Sequence, residues 1–285
     1  MGSFLHRHRG LTPYLLLAPG MLWLAIFFLV PMVFLGYQSL QSGLFPHFQF
    51  TWEFSNFSSA LSGYHTQLVR SFVYAGIATL ACLVLAYPLA YWIAFRAGPW
   101  RNLFLLFIVA PFFVTYLVRT LAWLNILADQ GPVVRVLRDV HVLGPDGRLL
   151  ATTFAVVAGI TYNFFPFMAL PLYVSLEQID PRLLEASKDL YASSTQSFLR
   201  VTVPLSMPGI VAGTLLTFIP AAGDFINAAL LGTPNQAMIG NVIQAKFLES
   251  LDYPTAASLS FILMGTIMVM LLIYAWIVGS EKLTG

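Results

Sequence analysis

Six long apolar stretches divide the sequence, and few charged residues interrupt any of them. A helix of about 20 residues, rising 1.5 Å per residue, crosses a hydrocarbon layer roughly 30 Å thick. Prolines inside the stretches predict kinks rather than boundaries, because neighbouring groups in a membrane protein recover the carbonyls that a proline frees. The pattern predicts an all-α membrane protein, one transmembrane domain over 1–285, with six helices at about 11–36, 68–95, 102–127, 149–176, 208–231 and 256–278.

Lysine and arginine positions indicate the orientation of these helices. Positive residues favour cytoplasmic loops, and the tight turn between Arg96 and Arg101 is the strongest local indicator. A cytoplasmic N-terminus gives the cytoplasmic side eight basic residues: Arg7, Arg9, Arg96, Arg101, Arg182, Lys188, Arg200 and Lys282. The outer side then has six: Arg70, Arg119, Arg135, Arg138, Arg148 and Lys246. We therefore expect both termini in the cytoplasm.

The connections between the apolar stretches differ in length. Residues 41–67, 128–148 and 232–255 are predicted to lie outside and to hold short surface elements rather than separate domains. Residues 177–207 form the one sizeable cytoplasmic connection in this scheme. The first stretch is too long for a secretory signal and no small-residue cleavage site ends it, so we expect a retained helix.

Composition excludes several function classes. Hydrophobic residues make up 58% of the 285 residues and charged residues 9%, whereas soluble domains have about 25% charged residues. The net charge of +2 has no clustered block, so nothing indicates a nucleic-acid surface. Cys82 stands alone in an apolar stretch, which excludes an intrachain disulfide and predicts a core or lipid-facing residue. No catalytic or metal site is predicted, because HExxH and GxSxG motifs are absent and no ligand spacing relates the histidines His6, His8, His47, His65 and His141.

The cytoplasmic connection contains two helix starts. Asp180 before Pro181 combines a capping carboxylate with a proline at the first helical position. Ser193 followed by Gln196 can form a capping box that opens a second short helix. Pro204 and Pro208 then end that helix and start the next span, so we predict a helix-turn-helix that projects into the cytoplasm.

This connection resembles the EAA loop of ABC-transporter permeases. Spaced residues carry the resemblance: Glu185-Ala186-Ser187, Asp189-Leu190, Ala192, Val203-Pro204-Leu205-Ser206 and Pro208-Gly209-Ile210. Helix caps alone explain Asp180, Pro181 and Ser193, but they do not explain this wider pattern. The resemblance implies a type I importer permease architecture, in which the loop forms a coupling helix that sits in a groove of the ATPase subunit. Where the family usually has glycine this chain has Tyr191, so either the turn is shaped differently or Tyr191 bears the strain of a left-handed turn.

The same resemblance implies the partners. A phosphate-binding loop needs glycine directly before lysine, and Lys188, Lys246 and Lys282 follow serine, alanine and glutamate. We therefore expect no cofactor in this chain, with ATP and Mg²⁺ bound by two separate ATPase subunits. A second homologous permease subunit, expected to be a different chain, and an extracytoplasmic substrate-binding protein complete the implied importer in the lipid bilayer.

Three further stretches resemble spermidine/putrescine permeases. They are Ala78 to Pro88, Phe165 to Tyr173, and Ile239 to Ile243 with Phe247. Permeases for opines and other small organic cations look similar, so another small solute remains an alternative cargo. A secondary transporter is the alternative from a different class, although such proteins often show internal repeats and no clear repeat is found here.

Two charged residues lie well inside predicted spans. Asp224 and Arg119 would both lie roughly 25 Å from the cytoplasmic end if their helices were straight. A charge within a span is a functional candidate, and Asp224 is suited to a cationic amine that also contacts aromatic faces. The candidate pathway residues are Asp224, Arg119, Trp123, Tyr116, Tyr162 and Asn163. The alternatives are an ion pair between Asp224 and Arg119, a solvated carboxylate near the outer surface, and an interhelical hydrogen bond for Asn163.

Overall fold

The computed structural model describes residues 12–144 and 146–281, and most of them are helical. By its internal contacts the chain divides into two compact units, Met1–Gly63 with Ile243–Gly285, and Tyr64–Val242. Several residues used to orient the chain or to search for metal ligands lie outside the described residues, namely His6, Arg7, His8, Arg9 and Lys282.

The first unit combines the two ends of the chain. Its elements are α1 (Thr12–Leu24), a π-helical turn (Ala25–Leu29), α2 (Val30–Ser39), the strands β1 (Gln41–Leu44) and β2 (His47–Phe50), and the last helix, Tyr253–Glu281. The strands form an antiparallel hairpin in which Gln41 is opposite Phe50 and Leu44 opposite His47. The amide of Asn56 donates to the carbonyls of Ser39 at 3.0 Å and Gln41 at 2.8 Å, which fixes the hairpin to the end of α2.

The second unit holds the remaining helices, two of which extend past its limits. They are α3 (Ser55–Arg96), a 3₁₀ turn (Gly98–Trp100), α4 (Arg101–Val109), a 3₁₀ turn (Ala110–Phe113), α5 (Tyr116–Leu127), α6 (Pro132–Asp139), α7 (Thr153–Glu177), α8 (Pro181–Asp189), α9 (Ser194–Ser197), a π-helical turn (Phe198–Thr202), α10 (Val203–Leu205), α11 (Met207–Ala222), α12 (Ile226–Leu231), a 3₁₀ turn (Pro234–Gln236) and α13 (Ile239–Leu248). The helix Tyr253–Glu281 of the first unit is α14. Tyr64 interrupts α3 with non-helical φ and ψ at the limit between the units.

Four described helices are long and apolar enough to cross a membrane: Leu16–Ser39, Ser55–Phe95, Thr153–Glu177 and Tyr253–Trp276. Two bent pairs also meet this test, Gly98–Phe113 with Tyr116–Asp139 at 97° and Ser194–Leu205 with Met207–Ala222 at 62°. Counting each pair as one span gives six among residues 12–144 and 146–281, which agrees with the predicted all-α architecture. The predicted outer connections contain short elements: the β1–β2 hairpin, α6 and α13.

The helices differ from the predicted spans at three places. The second helix begins at Ser55 rather than 68, because the polar segment 55–67 is helical although it is not an apolar run. The predicted helix 102–127 breaks between Phe113 and Tyr116, and the predicted helix 208–231 ends at Ala222 and resumes at Ile226. Pro111 and Pro220 lie shortly before these breaks, so they precede boundaries and not simple kinks. Pro88, Pro166 and Pro171, by contrast, lie inside continuous helices.

Helix α7 is the centre of the second unit, and it packs against α5, α11 and α12. Glycines permit the closest approach between α7 and α11. A Cβ at Gly209 would lie 2.6 Å from the Pro171 carbonyl oxygen, and a Cβ at Gly213 would lie 2.7 Å from the Met168 sulfur. Cys82 is fully buried and its thiol donates to the Thr161 carbonyl at 3.3 Å, which confirms the interpretation of this residue as a core residue.

Candidate functional site

The connection at 177–207 folds as the two capped helices that its sequence predicts. The Asp180 carboxylate accepts the Arg182 N–H at 2.9 Å, and Pro181 occupies the first turn of α8. Ser193 and Gln196 form the predicted capping box, with Ser193 Oγ accepting the Gln196 N–H at 3.3 Å and the Gln196 side chain accepting the Ser193 N–H at 3.0 Å. Both short helices therefore begin at side-chain caps, and the Ser193–Gln196 box lies at the turn between them.

Tyr191 adopts the left-handed conformation at this turn, with φ of +59°. Of the two outcomes left open by the sequence, the chain keeps the turn and Tyr191 bears its strain, which costs about 1 kcal/mol or more for a non-glycine residue. The Tyr191 N–H donates to the Lys188 carbonyl at 2.9 Å. Its side chain is 97% exposed and that of the preceding Leu190 is 82% exposed. The side chains of Leu190 and Tyr191 are thus exposed at the tip of the loop and are not packed against the rest of the second unit.

The base of the loop is held by polar and aromatic contacts. The hydroxyls of Ser187 and Ser197 are hydrogen-bonded to each other and join α8 to α9 in a buried position. The Tyr87 hydroxyl of α3 lies 2.8 Å from Ser206 Oγ, at the bend before α11. The Phe198 ring lies 5.4 Å from the Tyr87 ring, measured between centroids. These contacts connect the loop rigidly to the membrane helices.

The predicted coupling residues fall into two groups. Side chains that face solvent on this chain are those of Glu185, Ala186, Asp189, Leu190, Pro204 and Pro208. Ser187 and Gly209 are buried and Ala192 is half-buried. The exposed residues are available to a partner, whereas Ser187 and Gly209 serve the packing of the loop itself.

Asp224 lies at the break between α11 and α12, and it is 6% exposed. One carboxylate oxygen accepts the N–H groups of Ile226 at 2.8 Å and Asn227 at 3.1 Å. The other accepts the Tyr116 hydroxyl at 2.6 Å and the Asn227 side-chain amide. Asp224 therefore caps the start of α12, where two backbone donors lack helical partners, and it binds α5 to that point.

A buried polar network continues from Asp224 into the centre of the unit. The Asn163 amide of α7 donates to Thr120 Oγ1 and to Asn227 Oδ1, each at 3.2 Å. The Asn227 side chain also hydrogen-bonds the Tyr116 hydroxyl. The interhelical hydrogen bond considered for Asn163 is thus confirmed, and three helices meet through this network. The Asn163 Oδ1 atom is buried and has no hydrogen-bond partner among the described residues, whereas its amide group joins α7 to α5 and α12.

The suggested ion pair between Asp224 and Arg119 is wrong. Tyr116, Asn227 and the start of α12 supply the donors to the carboxylate, and Arg119 is not among them. The Arg119 guanidinium instead lies 5.4 Å from the centre of the Phe112 ring and 5.6 Å from that of Tyr116. Its Nε and Nη1 are buried and have no hydrogen-bond partner among the described residues. The depth estimated for Arg119 also fails, because it assumed a straight helix across the 97° bend before α5.

Trp123 and Tyr162 lie apart from the hydrogen bonds of Asp224. Their rings are 5.5 Å apart and line an apolar cavity of about 390 Å³ with residues of α3 and α7. The structure therefore brings Tyr116 and Asn163 to Asp224, directly or through Asn227, and places Trp123 and Tyr162 elsewhere. The sequence analysis missed Thr120, Asn227 and Phe112. Asn227, a polar residue three positions after Asp224 in an apolar run, is the one that the sequence could have indicated.

Comparisons with known proteins identify the family of the chain. Residues 86–280 match the family described as "Binding-protein-dependent transport system inner membrane component". The "Spermidine/putrescine transport system permease protein PotB" of Haemophilus influenzae is 37% identical over 256 residues, covering 89% of each chain. The protein of the same name from Escherichia coli is 37% identical over 254 residues, covering 88% of this chain and 92% of the relative. The "Inner membrane ABC transporter permease protein YdcU" of Escherichia coli is 30% identical over 284 residues, covering 92% and 88%.

A solved structure has the same fold. A chain of a bacterial ABC transporter involved in alginate import superposes with a TM-score of 0.72 over 99% of both chains, at 18% sequence identity. At that identity the likeness concerns the fold alone. The family match, by contrast, covers more than half of this chain, and the PotB relatives match it over nearly their whole length. The chain therefore belongs to the family of binding-protein-dependent transport system inner membrane components and is an ABC-importer permease subunit.

Proposed function

We propose that this permease subunit imports polyamines such as spermidine and putrescine. The observation that carries the proposal is the 37% identity over 88–89% of the chain to permeases named for these two solutes. A relative named for another cargo, a probable molybdenum permease of Haloferax volcanii, is 29% identical over 167 residues, which is 56% of the chain. The polyamine permeases are therefore the better guide to the cargo.

The energy for transport comes from ATPase subunits that dock on the loop at 177–207. The loop has the properties that such a contact needs, since local caps fix its two helices and its tip residues are exposed. Two such ATPases, a second permease subunit of different sequence and an extracytoplasmic binding protein complete the importer in the inner membrane. Docking on this loop places it and both chain termini in the cytoplasm.

The cargo pathway passes close to the break between α11 and α12. Asp224 supplies a carboxylate there, and Tyr116 and Phe112 supply aromatic faces that already attract the Arg119 guanidinium. Asn163 holds the network in place from α7. Trp123 and Tyr162 line the neighbouring part of the route.

Uptake by the reconstituted complex tests the proposal directly. Proteoliposomes that contain both permease subunits, the ATPases and the binding protein should accumulate labelled spermidine or putrescine only when ATP is supplied. Opines and other small organic cations serve as competing cargo. Accumulation without ATPase subunits would indicate a secondary transporter, and ATP-driven uptake of an opine but not of a polyamine would refute the proposed cargo.

Charge reversal at Glu185 is expected to uncouple transport. Glu185 is exposed on α8, so Glu185→Lys should leave the fold intact while it places a positive charge against the ATPase groove. Polyamine uptake and coupled ATP hydrolysis are expected to fall about tenfold, equivalent to about 1.4 kcal/mol of coupling. Glu249→Lys, an exposed glutamate outside this loop, is the matched control and should retain uptake. Normal uptake by the Glu185 variant would count against this role of the loop.

A further inference from the structure

Tyr191 is an unusual residue for the place that it occupies. It stands in the turn between α8, which ends at Asp189, and α9, which begins at the Ser193 cap, and its φ of +59° lies in the region that glycine enters freely. Tyrosine is therefore strained where glycine would be relaxed. The backbone hydrogen bonds of the turn, from Tyr191 N–H to Lys188 and from Ala192 N–H to Ser187, would form equally with glycine at this position. Because the ring is 97% exposed, side-chain contacts within the second unit do not offset the strain.

Strain that persists without a compensating contact points to a contact outside the chain. The turn holds the Tyr191 ring away from the loop, and Leu190 beside it is also exposed. Aromatic side chains that fill a partner's pocket dominate many protein interfaces, and a ring held rigidly in advance loses little conformational freedom on binding. Tyr191 and Leu190 lie on the same loop that is proposed to contact the ATPase subunit.

We infer that Tyr191 inserts its ring into an apolar pocket of the ATPase subunit and thereby selects the ATPase that serves this permease. The inference rests on the proposed function, which makes this loop the ATPase contact. It adds a requirement on the partner, namely a pocket of ring size lined by apolar side chains. An ATPase subunit with a shallow or charged surface opposite Tyr191 would bind this loop weakly.

Three variants separate the ring from the backbone conformation. Tyr191→Phe keeps the aromatic ring, Tyr191→Gly removes both ring and strain, and Tyr191→Asn keeps a side chain that tolerates the left-handed region but is polar. The measurement is the affinity of the purified ATPase subunit for the permease pair in nanodiscs, with coupled ATP hydrolysis recorded alongside. We expect Phe to bind within twofold of the wild type and both Gly and Asn to bind at least tenfold more weakly.

A second readout excludes misfolding as the cause. The Tyr191→Gly variant should unfold at the same temperature as the wild type or higher, because the turn is relieved of strain. Trp52→Gly is the matched control, since Trp52 is also an exposed aromatic residue with a left-handed φ of +54°, and it should leave ATPase affinity unchanged. Wild-type affinity in both the Gly and the Asn variants would overturn the inference. A wild-type complex that shows no ATP-driven uptake would instead refute the proposed function.

Discussion

Replacing Asp224 with alanine is expected to lower the free energy of unfolding by about 3–5 kcal/mol. The change leaves three donors without an acceptor: the N–H groups of Ile226 and Asn227 and the Tyr116 hydroxyl. The Asn227 amide loses one of its two acceptors and keeps the Tyr116 hydroxyl. Each buried unsatisfied donor costs about 1–3 kcal/mol, and loss of a helix cap about 0.5–2 kcal/mol, although such costs are not additive. The exposed Asp139→Ala, in α6, is the control and should change stability by less than about 0.5 kcal/mol.

A denaturant titration of the purified subunit in detergent micelles measures this loss of unfolding free energy. Tyr116→Phe removes one donor and leaves the other three in place, so it should cost about 1–2 kcal/mol. An Asp224→Ala variant as stable as the wild type would mean that the network does not hold α5, α7 and α12 together.

Asp224→Asn separates the structural role of this residue from a role in the pathway. The amide oxygen still accepts the two backbone N–H groups at the start of α12, so the variant should fold, while the negative charge is lost. If a cargo amine contacts the carboxylate, polyamine-stimulated ATP hydrolysis should fall about tenfold or more. Unchanged stimulation in a folded Asp224→Asn complex would remove Asp224 from the pathway and leave it as a structural residue.

The helical architecture was predictable because apolar stretches of 20 or more residues indicate which segments can cross a membrane as helices. The caps of the loop at 177–207 were predictable because Asp180 and Ser193 act on backbone groups only two or three residues away. Helix capping depends on residues that are close together in the sequence, so the sequence alone predicts it. The coupling residues proper, such as Glu185 and Asp189, rest on a family resemblance and remain a proposal until a partner is tested.

The breaks at Phe113–Tyr116 and Ala222–Ile226 could not be read from hydropathy. Val114 and Thr115 lie in the first break, and Gly223 and Asp224 interrupt the apolar run at the second for only two residues. Mean hydropathy over such a run does not show where the chain changes direction. The partners of Asp224 illustrate the same limit, because Tyr116 is distant in sequence and reaches the carboxylate only when α5 packs beside α12. The ion pair with Arg119 was a reasonable expectation from charge alone, but the bend before α5 placed Tyr116, not Arg119, at the carboxylate.

Gly209 illustrates a residue whose family role and physical role differ. The family pattern includes it beside the coupling loop, while the structure gives it a place in the contact between α11 and α7. A Cβ there would lie 2.6 Å from the Pro171 carbonyl oxygen and 2.7 Å from the Ser175 Cβ. Neither atom is the end of a flexible side chain, so the helices themselves would have to move apart.

Gly209→Ala is therefore expected to destabilise the subunit by about 2–3 kcal/mol, despite a gain of up to about 1 kcal/mol in helix propensity. Gly213→Ala should cost less, about 1 kcal/mol, because the first obstacle there is the flexible Met168 thioether. Gly76→Ala in α3 is the matched control with nothing within 4 Å of the new Cβ, and it should stabilise by about 0.5–1 kcal/mol. The same denaturant titration measures all three. Because α11 follows directly on the loop at 177–207, the Gly209 variant should also lose coupled ATP hydrolysis. Equal stability of the Gly209 and Gly76 variants would contradict the close α7–α11 contact.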